Sequence, residues 1–388
     1  MEPTSQAARK LLFVVTEDWA FLTHRLPMAR AAQAAGWEVH VATRVAADGP
    51  AIHEMGFVLH PLAWHRRSLS PVAIAREARE LRALYRREGF DLIHHVALKP
   101  VIVGSLAATG LAVPTANSIA GLGYAFTSRE VKARLIGRAV ALVLRRFLNR
   151  PKSMAIVQNP DDRDVLLAFG VKAERIDLIP GSGVDIDRLQ PSPEPEGPVR
   201  VAYVGRMLDD KGVRTLIAAH RLLRQRGIVL QLDLAGEPDE GNPTSVQRAE
   251  LEAWNAEPGL AWLGRVYDIG GLWRRTHIAV LPSRREGLPK SLLEAAACGR
   301  PIVATDVPGC REIAQDGVNA LLVPPDDAER LAEAMAQLAA EPAMRARFGA
   351  AGRRLVEENF SDRIIGAETV ALYARLVPPP LVSGGAES

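Results

Sequence analysis

The part of the sequence best suited to ligand chemistry runs from Ser283 to Glu294 and combines a Gly/Pro turn with two glutamates. A strand is predicted to end at Ser283 and a helix to begin near Lys290, and the backbone N–H groups at the start of such a helix favour an anion. Glu286 lies in the loop, and Glu294 lies one turn inside the helix. Carboxylates there can accept hydrogen bonds from sugar or ribose hydroxyls. The alternative is that neither carboxylate binds a ligand, with Glu286 solvated in its loop and Glu294 on the surface of its helix.

Two adjacent histidines, His94 and His95, close a strand predicted over residues 91–95. A neutral imidazole at a strand end can hydrogen-bond a sugar or a diphosphate, or help to move a proton. Because side chains alternate along a strand, only one of the two rings points toward a ligand at that edge. The residues alone do not decide which one, and a purely structural role is the alternative.

Residues 128–152 concentrate positive charge: they contain eight basic residues and one acid, a balance of +7, whereas the whole chain carries +3. Thr127 and Glu130 have the spacing of a capping box, which predicts a helix start there. At about 100° per residue, one stripe holds Arg134, Arg138 and Arg145, and the opposite side holds Ile136, Val140, Val143 and Phe147. Such a helix suits an anionic membrane surface. The alternative is a helix packed on a sheet, with its arginines in water.

Motifs for metals and cofactors are incomplete in this sequence. Asp185 and Asp187 stand in an Asp-x-Asp pattern but follow a Gly-Ser-Gly turn, where Asp187 is expected to cap a short helix. His53 begins a zinc-protease pattern, but Phe57 occupies the place of the second histidine. No Walker A lysine or complete Gly-x-Gly-x-x-Gly occurs. We therefore expect no metal and no cofactor, and a nucleic-acid partner is not expected either.

The elements that must position these residues are two runs of alternating strands and helices. Apolar strands are predicted at 11–15, 38–42, 91–95, 154–157, 200–204, 229–234, 278–281, 301–304 and 320–323. Buried strands separated by helices predict parallel sheets covered on both faces. The fold class is therefore α/β, with two doubly wound, Rossmann-like domains that face an inter-domain cleft, where ligands of such sheets bind.

The domains are expected at residues 1–190 and 199–388, joined by a linker at 191–198 that contains four prolines. The last helices are expected to pack back on the first domain. The length of 388 residues suits two domains, and a composition of 48% apolar and 24% charged residues is that of a soluble globular protein.

Cysteine usage and apolar segments indicate the compartment. Only two cysteines occur, Cys298 and Cys310, which excludes a disulfide framework and favours the reducing cytoplasm. Residues 1–9 lack the apolar core of a secretory signal. The apolar stretch 101–113 is shorter than the roughly 20 residues of a membrane helix. We expect a cytoplasmic protein that is soluble or peripheral to a membrane.

The segment 286–294, Glu-Gly-Leu-Pro-Lys-Ser-Leu-Leu-Glu, resembles the signature of the retaining glycosyltransferases of family 4, which have the GT-B fold. The segment 203–212, Tyr-Val-Gly-Arg-Met-Leu-Asp-Asp-Lys-Gly, is similar to another motif of that family. The resemblance implies that Arg206 and Lys211 bind the donor diphosphate. It also implies that Glu294 binds the ribose and that Glu286 contacts the donor sugar. The remaining donor-binding residues implied by these motifs are Gly205, Ser283, Gly287, Leu288 and Pro289.

Three N-terminal motifs, at 21–27, 91–100 and 117–124, resemble bacterial transferases that extend polyprenyl-diphosphate-linked sugars, including N-acetylgalactosaminyl- and galactosyltransferases. The resemblance favours His94 over His95 as the catalytic partner of Glu286. The residues expected on the acceptor and membrane side are His24, Arg25 and Lys99 from these motifs, and Arg134, Arg138 and Arg145 from the basic helix. The loop 16–23 lacks the Gly-Gly pair that many members of the family carry after the first strand.

The implied reaction is a retaining, metal-independent transfer of GalNAc, GlcNAc or galactose from a UDP-sugar to an undecaprenyl-diphosphate-linked saccharide. Its place would be the anionic inner face of the bacterial plasma membrane, in the assembly of a surface polysaccharide or glycan. The alternatives are a UDP-sugar epimerase on the same scaffold, a transferase with a soluble acceptor, and a non-catalytic membrane-bound protein. The basic helix argues against the epimerase, and the intact donor motifs argue against loss of activity.

Overall fold

The computed structural model describes residues 8–64, 70–119, 131–239 and 241–378, with the backbone alone over 131–136. The chain divides into two compact units. Unit 1 comprises Met1–Ser182 and Ile365–Ser388, and unit 2 comprises Gly183–Ile364.

Unit 1 contains a seven-stranded parallel sheet. Its strands are Arg9–Glu17 (β1), Trp37–Arg44 (β2), Val58–Pro61 (β3), Leu92–Val96 (β4), Thr115–Ser118 (β5), Ser153–Val157 (β6) and Ile176–Leu178 (β7). They pair in the order β3-β2-β1-β4-β5-β6-β7. The described helices of its main segment are Asp18–His24 (α1), Leu26–Ala34 (α2), Gly49–Glu54 (α3), Pro71–Glu88 (α4), Leu98–Ala107 (α5), Val131–Leu148 (α6) and Pro160–Ala168 (α7).

Unit 2 contains a six-stranded parallel sheet. Its strands are Arg200–Val204 (β8), Gln231–Ala235 (β9), Leu260–Gly264 (β10), Ile278–Leu281 (β11), Ile302–Thr305 (β12) and Ala320–Val323 (β13), in the order β10-β9-β8-β11-β12-β13. Its described helices are Val213–Gln225 (α8), Arg248–Asn255 (α9), Ile269–Arg274 (α10), Lys290–Ala297 (α11), Cys310–Ile313 (α12), Ala328–Ala340 (α13) and Pro342–Asn359 (α14). The last helix, Asp362–Leu376 (α15), continues into unit 1.

The central strands are buried on both faces, which confirms the predicted doubly wound α/β class. Every residue of β4, β11 and β12 is buried, because helices cover both faces of a parallel sheet. The direction of strand order reverses between β1 and β4 in unit 1 and between β8 and β11 in unit 2. Ligands of such sheets bind outside the carboxyl ends of the strands at this switch point.

The proline-rich segment 191–198 lies within unit 2, where two buried arginines bind its first residues. Arg300 donates from Nη2 to the carbonyl oxygen of Ser192 at 2.9 Å. Arg345 donates from Nε and Nη2 to the two carboxylate oxygens of Glu194 at 2.7 and 2.9 Å. The boundary between the two units falls before this segment.

The basic segment forms α6, and its predicted capping residues, Thr127 and Glu130, lie outside the described part of the chain. The buried side of α6 holds Leu144 and Leu148, with Val140 packed against them. These positions are four residues apart and so share one helix face. The predicted apolar face, with Val143 and Phe147, was therefore rotated from the observed one, since both of these side chains are only half-buried.

Candidate active site

The carboxyl edge of the unit 2 sheet brings two loops together. β8 leads into Gly205 and Arg206, and its neighbour β11 leads into Ser283 and Glu286. Since the two strands flank the switch point, the loops that follow them meet at one place. A ligand at this edge would contact both of the motifs that the sequence singles out.

Lys211, Ser283 and Glu286 form a polar cluster at this edge. Nζ of Lys211 donates to Oε1 of Glu286 at 2.6 Å, and Oγ of Ser283 donates to the same oxygen at 2.6 Å. The Lys211 side chain is 22% exposed and that of Glu286 is 10% exposed. The ion pair is therefore partly desolvated but accessible to a ligand, and a charge there acts more strongly than in bulk water.

Two glycines allow the backbone around this cluster to pack closely. Gly212 has φ +70°, and a Cβ there would lie 1.9 Å from the carbonyl oxygen of Pro282. Gly309 has φ +78°, and a Cβ there would lie 2.3 Å from the carbonyl oxygen of Gly287 and 2.7 Å from that of Glu286. Since no side chain fits at either position, both glycines help to determine where the Glu286 loop lies.

Arg206 is held on the neighbouring loop. Its Nη1 donates to Oδ2 of Asp239 at 2.8 Å, and its carbonyl oxygen accepts from the Tyr203 hydroxyl at 2.7 Å. Gly205 leaves room for that hydroxyl, since a Cβ there would lie 2.8 Å from it. The guanidinium is partly exposed and can still donate to a ligand, because Arg has five N–H donors.

Glu294 lies on α11, after the loop formed by Gly287, Leu288 and Pro289. Burial raises the pKa of its carboxyl group, although the charge of Lys290 opposes this. No hydrogen bond to this carboxyl group is seen within the described ranges. A half-buried carboxylate of this kind is suited to accept a hydrogen bond from a ligand hydroxyl.

In unit 1, His94 and His95 point to opposite faces of β4, as strand alternation predicts. The ring nitrogens of His94 lie 2.6 Å from the Tyr373 hydroxyl and 2.6 Å from Oγ of Ser118. His95 lies 3.0 Å from the Tyr85 hydroxyl and 2.8 Å from Oδ1 of Asn117. Both rings are fully buried. A contact between His94 and a substrate stays a prediction, and it would require one of these hydrogen bonds to be exchanged.

These two histidines predict a loss of stability in acid. Burial lowers the pKa of His94 well below its ordinary value and that of His95 to about 4. In the unfolded chain a histidine takes up a proton below about pH 6.5, so the neutral buried rings stabilise the fold less as the pH falls through that value. Each should remove on the order of 1 kcal/mol of unfolding free energy per pH unit between about pH 6 and 5.

Urea denaturation at pH 7, 6 and 5 measures this slope. His95→Gln should reduce it, and His53→Gln, at an exposed position of α3, should not. Equal slopes for both variants would refute the assignment of the effect to the buried rings.

The other predicted residues of unit 1 differ in their surroundings. Nζ of Lys99 donates to Oε1 of the buried Glu77 at 2.9 Å. The ring of His24 packs edge-on against Trp19 at 6.4 Å between centroids. Arg25 is buried at the junction of α1 and α2.

A surface groove of about 450 Å³ runs along α6 and the end of α7. Arg138 and Arg145 line it on the α6 side, and Phe169 lines it on the other. Between the two arginines, Leu142 also lines the groove and is 66% exposed. The side chain of Arg134 lies outside the described part of the chain. Charged and apolar groups therefore share one exposed face of the helix.

Neither a metal-ligand cluster nor a membrane-spanning helix is found in the described ranges. No group of three or more His, Cys, Asp or Glu side chains among those residues could hold a metal ion. No helix in the same part of the chain is long and apolar enough to cross a membrane.

Two protein families match this chain. Residues 10–153 match the family described as glycosyl transferase 4-like, and residues 198–341 match the family described as glycosyl transferases group 1. The chain is a glycosyltransferase with a glycosyl transferase 4-like region followed by a glycosyl transferases group 1 region. The resemblance that the motifs indicated is thereby confirmed, and so is the prediction of an enzyme.

Relatives and solved structures agree with this family. The N,N'-diacetylbacillosaminyl-diphospho-undecaprenol alpha-1,3-N-acetylgalactosaminyltransferase of Campylobacter jejuni is 26% identical over 341 residues, 84% of this chain and 88% of that one. The sucrose-phosphate synthase of Thermosynechococcus elongatus matches with a TM-score of 0.80 at 22% identity, over 95% of this chain and 99% of that one. Anabaena HepE, solved with UDP and glucose, matches with a TM-score of 0.75 at 18% identity, over 94% and 99%. These likenesses confirm the GT-B fold.

The structure of this glycosyltransferase brings Lys211, Ser283 and Glu286 into direct contact. Sequence reasoning missed two residues of the site, Asp239 and Gly309. A Pro-Gly pair shortly after a buried strand is a recognisable turn signal, and it could have indicated Gly309. Asp239 stands in a polar loop after β9, and nothing in its local sequence distinguishes it.

Proposed function

We propose that this glycosyltransferase transfers GalNAc, GlcNAc or galactose from a UDP-sugar to an undecaprenyl-diphosphate-linked saccharide, with retention of configuration. The observation that carries the proposal is the contact of Lys211 and Ser283 with Glu286 at the carboxyl edge of the unit 2 sheet. The name of the Campylobacter relative supports the acceptor, and the ligands of Anabaena HepE support the nucleotide.

In this proposal, unit 2 binds the donor. Arg206 and Lys211 bind the diphosphate, Glu294 binds the ribose and Glu286 contacts the sugar. A departing nucleoside diphosphate gains negative charge, and cations already held in place stabilise that charge without reorganisation. These two cations would provide the positive charge that a metal provides elsewhere, so we expect no metal requirement. The leaving phosphate would accept the proton of the attacking hydroxyl on the same face of the sugar.

Nucleoside-diphosphate release from a panel of UDP-, GDP- and ADP-sugars tests the proposal. Release from one UDP-sugar, dependent on a polyprenyl-diphosphate-linked saccharide in detergent, is the expected result. Turnover with a soluble acceptor alone would refute the lipid-linked acceptor. Conversion of the sugar without any acceptor would indicate an epimerase instead.

We further propose that the glycosyltransferase works at the anionic inner face of the plasma membrane, in the assembly of a surface polysaccharide or glycan. The face of α6 that carries Arg138, Leu142 and Arg145 supports this, since it offers two exposed cations beside an exposed apolar group. Each basic residue near an anionic bilayer contributes about 1 kcal/mol.

Reversing two of these charges should therefore weaken membrane binding markedly. The variant Arg138→Glu/Arg145→Glu should bind vesicles containing phosphatidylglycerol at least about 30-fold more weakly than the parent protein. Vesicle co-flotation measures the difference. The matched control, Arg79→Glu/Arg86→Glu on the exposed side of α4, should bind like the parent. Equal loss in both double variants would point to net charge rather than to this face.

A further inference from the structure

Within the described part of the chain, the buried Arg25 lacks the partners that such a residue normally has. Its side chain emerges between α1 and α2, and the residue is only 5% exposed. Nη1 lies 3.7 Å from the sulfur of Met28, and Nε is buried with no hydrogen-bond partner among the residues that the structure describes. Among the described residues, no carboxylate forms an ion pair with it.

Two buried arginines of unit 2 have hydrogen-bond acceptors of the kind that Arg25 lacks among the described residues. Arg345 forms two charge-assisted hydrogen bonds with Glu194. Arg300 has backbone carbonyl oxygens of the proline-rich segment as acceptors. Burying a charge costs stability unless it is paired and hydrogen-bonded. The described hydrogen-bond partner of the Arg25 side chain is a thioether, which is a weak acceptor, so the folded chain bears a cost that a bound anion would relieve.

The groups around Arg25 are polar but uncharged. Met28, which contacts Arg25, belongs to the same buried cluster as Tyr373, and the Tyr373 hydroxyl lies 2.6 Å from Nδ1 of His94. On its other side, the His94 ring reaches Oγ of Ser118. A guanidinium, an imidazole and two hydroxyl groups are thus gathered within unit 1. They provide donors and positive charge but no negative charge.

We infer that Arg25 binds an anionic group of a ligand of unit 1, and, resting on the proposed function, that this group is the diphosphate of the lipid-linked acceptor. A guanidinium can bind phosphate oxygens through two parallel N–H···O hydrogen bonds. The strand carrying His94, β4, flanks the switch point of this sheet. An anion at Arg25 would therefore lie near the edge where ligands of doubly wound sheets bind.

Thermal unfolding of four proteins tests this inference: the parent, Arg25→Met, Arg25→Lys and Arg30→Met. Arg30 is an exposed residue of α2 and serves as the matched control. Saturating UDP is present throughout, so that the diphosphate site of unit 2 is occupied. The probes are farnesyl diphosphate and inorganic pyrophosphate. Without a probe, Arg25→Met should melt about 2–4 °C above the parent, because an uncompensated charge has been removed from the interior.

With farnesyl diphosphate, the parent and Arg30→Met should gain thermal stability, and Arg25→Met should lose at least tenfold in affinity. Arg25→Lys, which keeps the charge but not the paired N–H groups, should lie between them. Pyrophosphate should reproduce the pattern more weakly if the anion is what is recognised.

Two results would overturn the inference. Arg25→Met melting below the parent would make Arg25 a structural residue, and unchanged affinity for farnesyl diphosphate in Arg25→Met would mean that the diphosphate is bound elsewhere. UDP binding to unit 2, measured on the same variants, separates this failure from failure of the proposed function. Intact UDP binding with no effect at Arg25 refutes the inference alone.

Discussion

Replacing Lys211 by methionine is expected to lower kcat/KM for the nucleotide-sugar donor by about 10²–10³-fold, the usual cost of removing one preorganised electrostatic group. The Lys211 ammonium is held 2.6 Å from Oε1 of Glu286 and is only partly exposed. It therefore needs little reorganisation when the departing diphosphate becomes more negative. Because that charge grows in the transition state, most of the loss should appear in kcat rather than in KM.

Steady-state release of the nucleoside diphosphate measures both constants. Lys172→Met is the matched control, since Lys172 is exposed in unit 1 and lies 3.9 Å from Glu174. It should retain the activity of the parent. Donor kinetics in Lys211→Met that match those of Lys172→Met would contradict the placement of the diphosphate at Lys211.

Removal of Lys211 also leaves Glu286 with Ser283 as its remaining described side-chain partner, so a direct role must be separated from an indirect one. The double variant Lys211→Met/Glu286→Gln makes this separation, because a mutant cycle isolates the coupling between two residues. If Lys211 contacts the diphosphate itself, its removal should still cost activity in the Glu286→Gln background. If it only orients Glu286, that further loss should disappear.

The strands that the sequence predicts are mostly those that helices cover on both faces, and the missed strands differ from them in recognisable ways. β3, β7 and β10 lie at the edges of their sheets, and β3 ends in a proline. β5 is central, yet it reads Thr-Ala-Asn-Ser and lacks an apolar run. Its Asn117 is buried because Nδ2 donates to Oγ of Ser153 and to the carbonyl oxygen of Met154. Such tertiary partners cannot be read from local pattern.

The candidate site also combines features that local sequence predicts with features that only tertiary contacts decide. The loop glutamate and the lysine stand out as motif residues, but their ion pair joins positions 75 residues apart, and only the adjacency of β8 and β11 brings them together. His94 is a plausible ligand-facing residue in sequence, since it stands near a strand end. The structure buries it because Tyr373, 279 residues later, lies over it from α15. Local sequence therefore predicts which residues are chemically suited to a site, and topology decides their surroundings.

Gly309→Ala is expected to lower kcat/KM by about 10²-fold, the effect of displacing catalytic groups by about 1 Å. The added Cβ would lie 2.3 Å from the carbonyl oxygen of Gly287 and 2.7 Å from that of Glu286, so the loop must move. Both contacts are with backbone, which cannot rotate away as a side chain can. Glu286 would shift with its loop, away from Lys211 and Ser283.

The positive φ of Gly309 complicates a simple substitution, because alanine is strained there whatever the space around it. Gly317→Ala provides the matched control: Gly317 has φ +72°, close to the +78° of Gly309, and a Cβ added to Gly317 would meet no heavy atom within 4 Å. Both variants should lose similar stability from backbone strain, measured by thermal unfolding, but only Gly309→Ala should lose donor turnover. Equal turnover in the two would mean that strain alone matters and that the position of the Glu286 loop tolerates displacement. A selective loss would establish that the turn after β12, on a different strand from either motif, positions Glu286 for donor turnover.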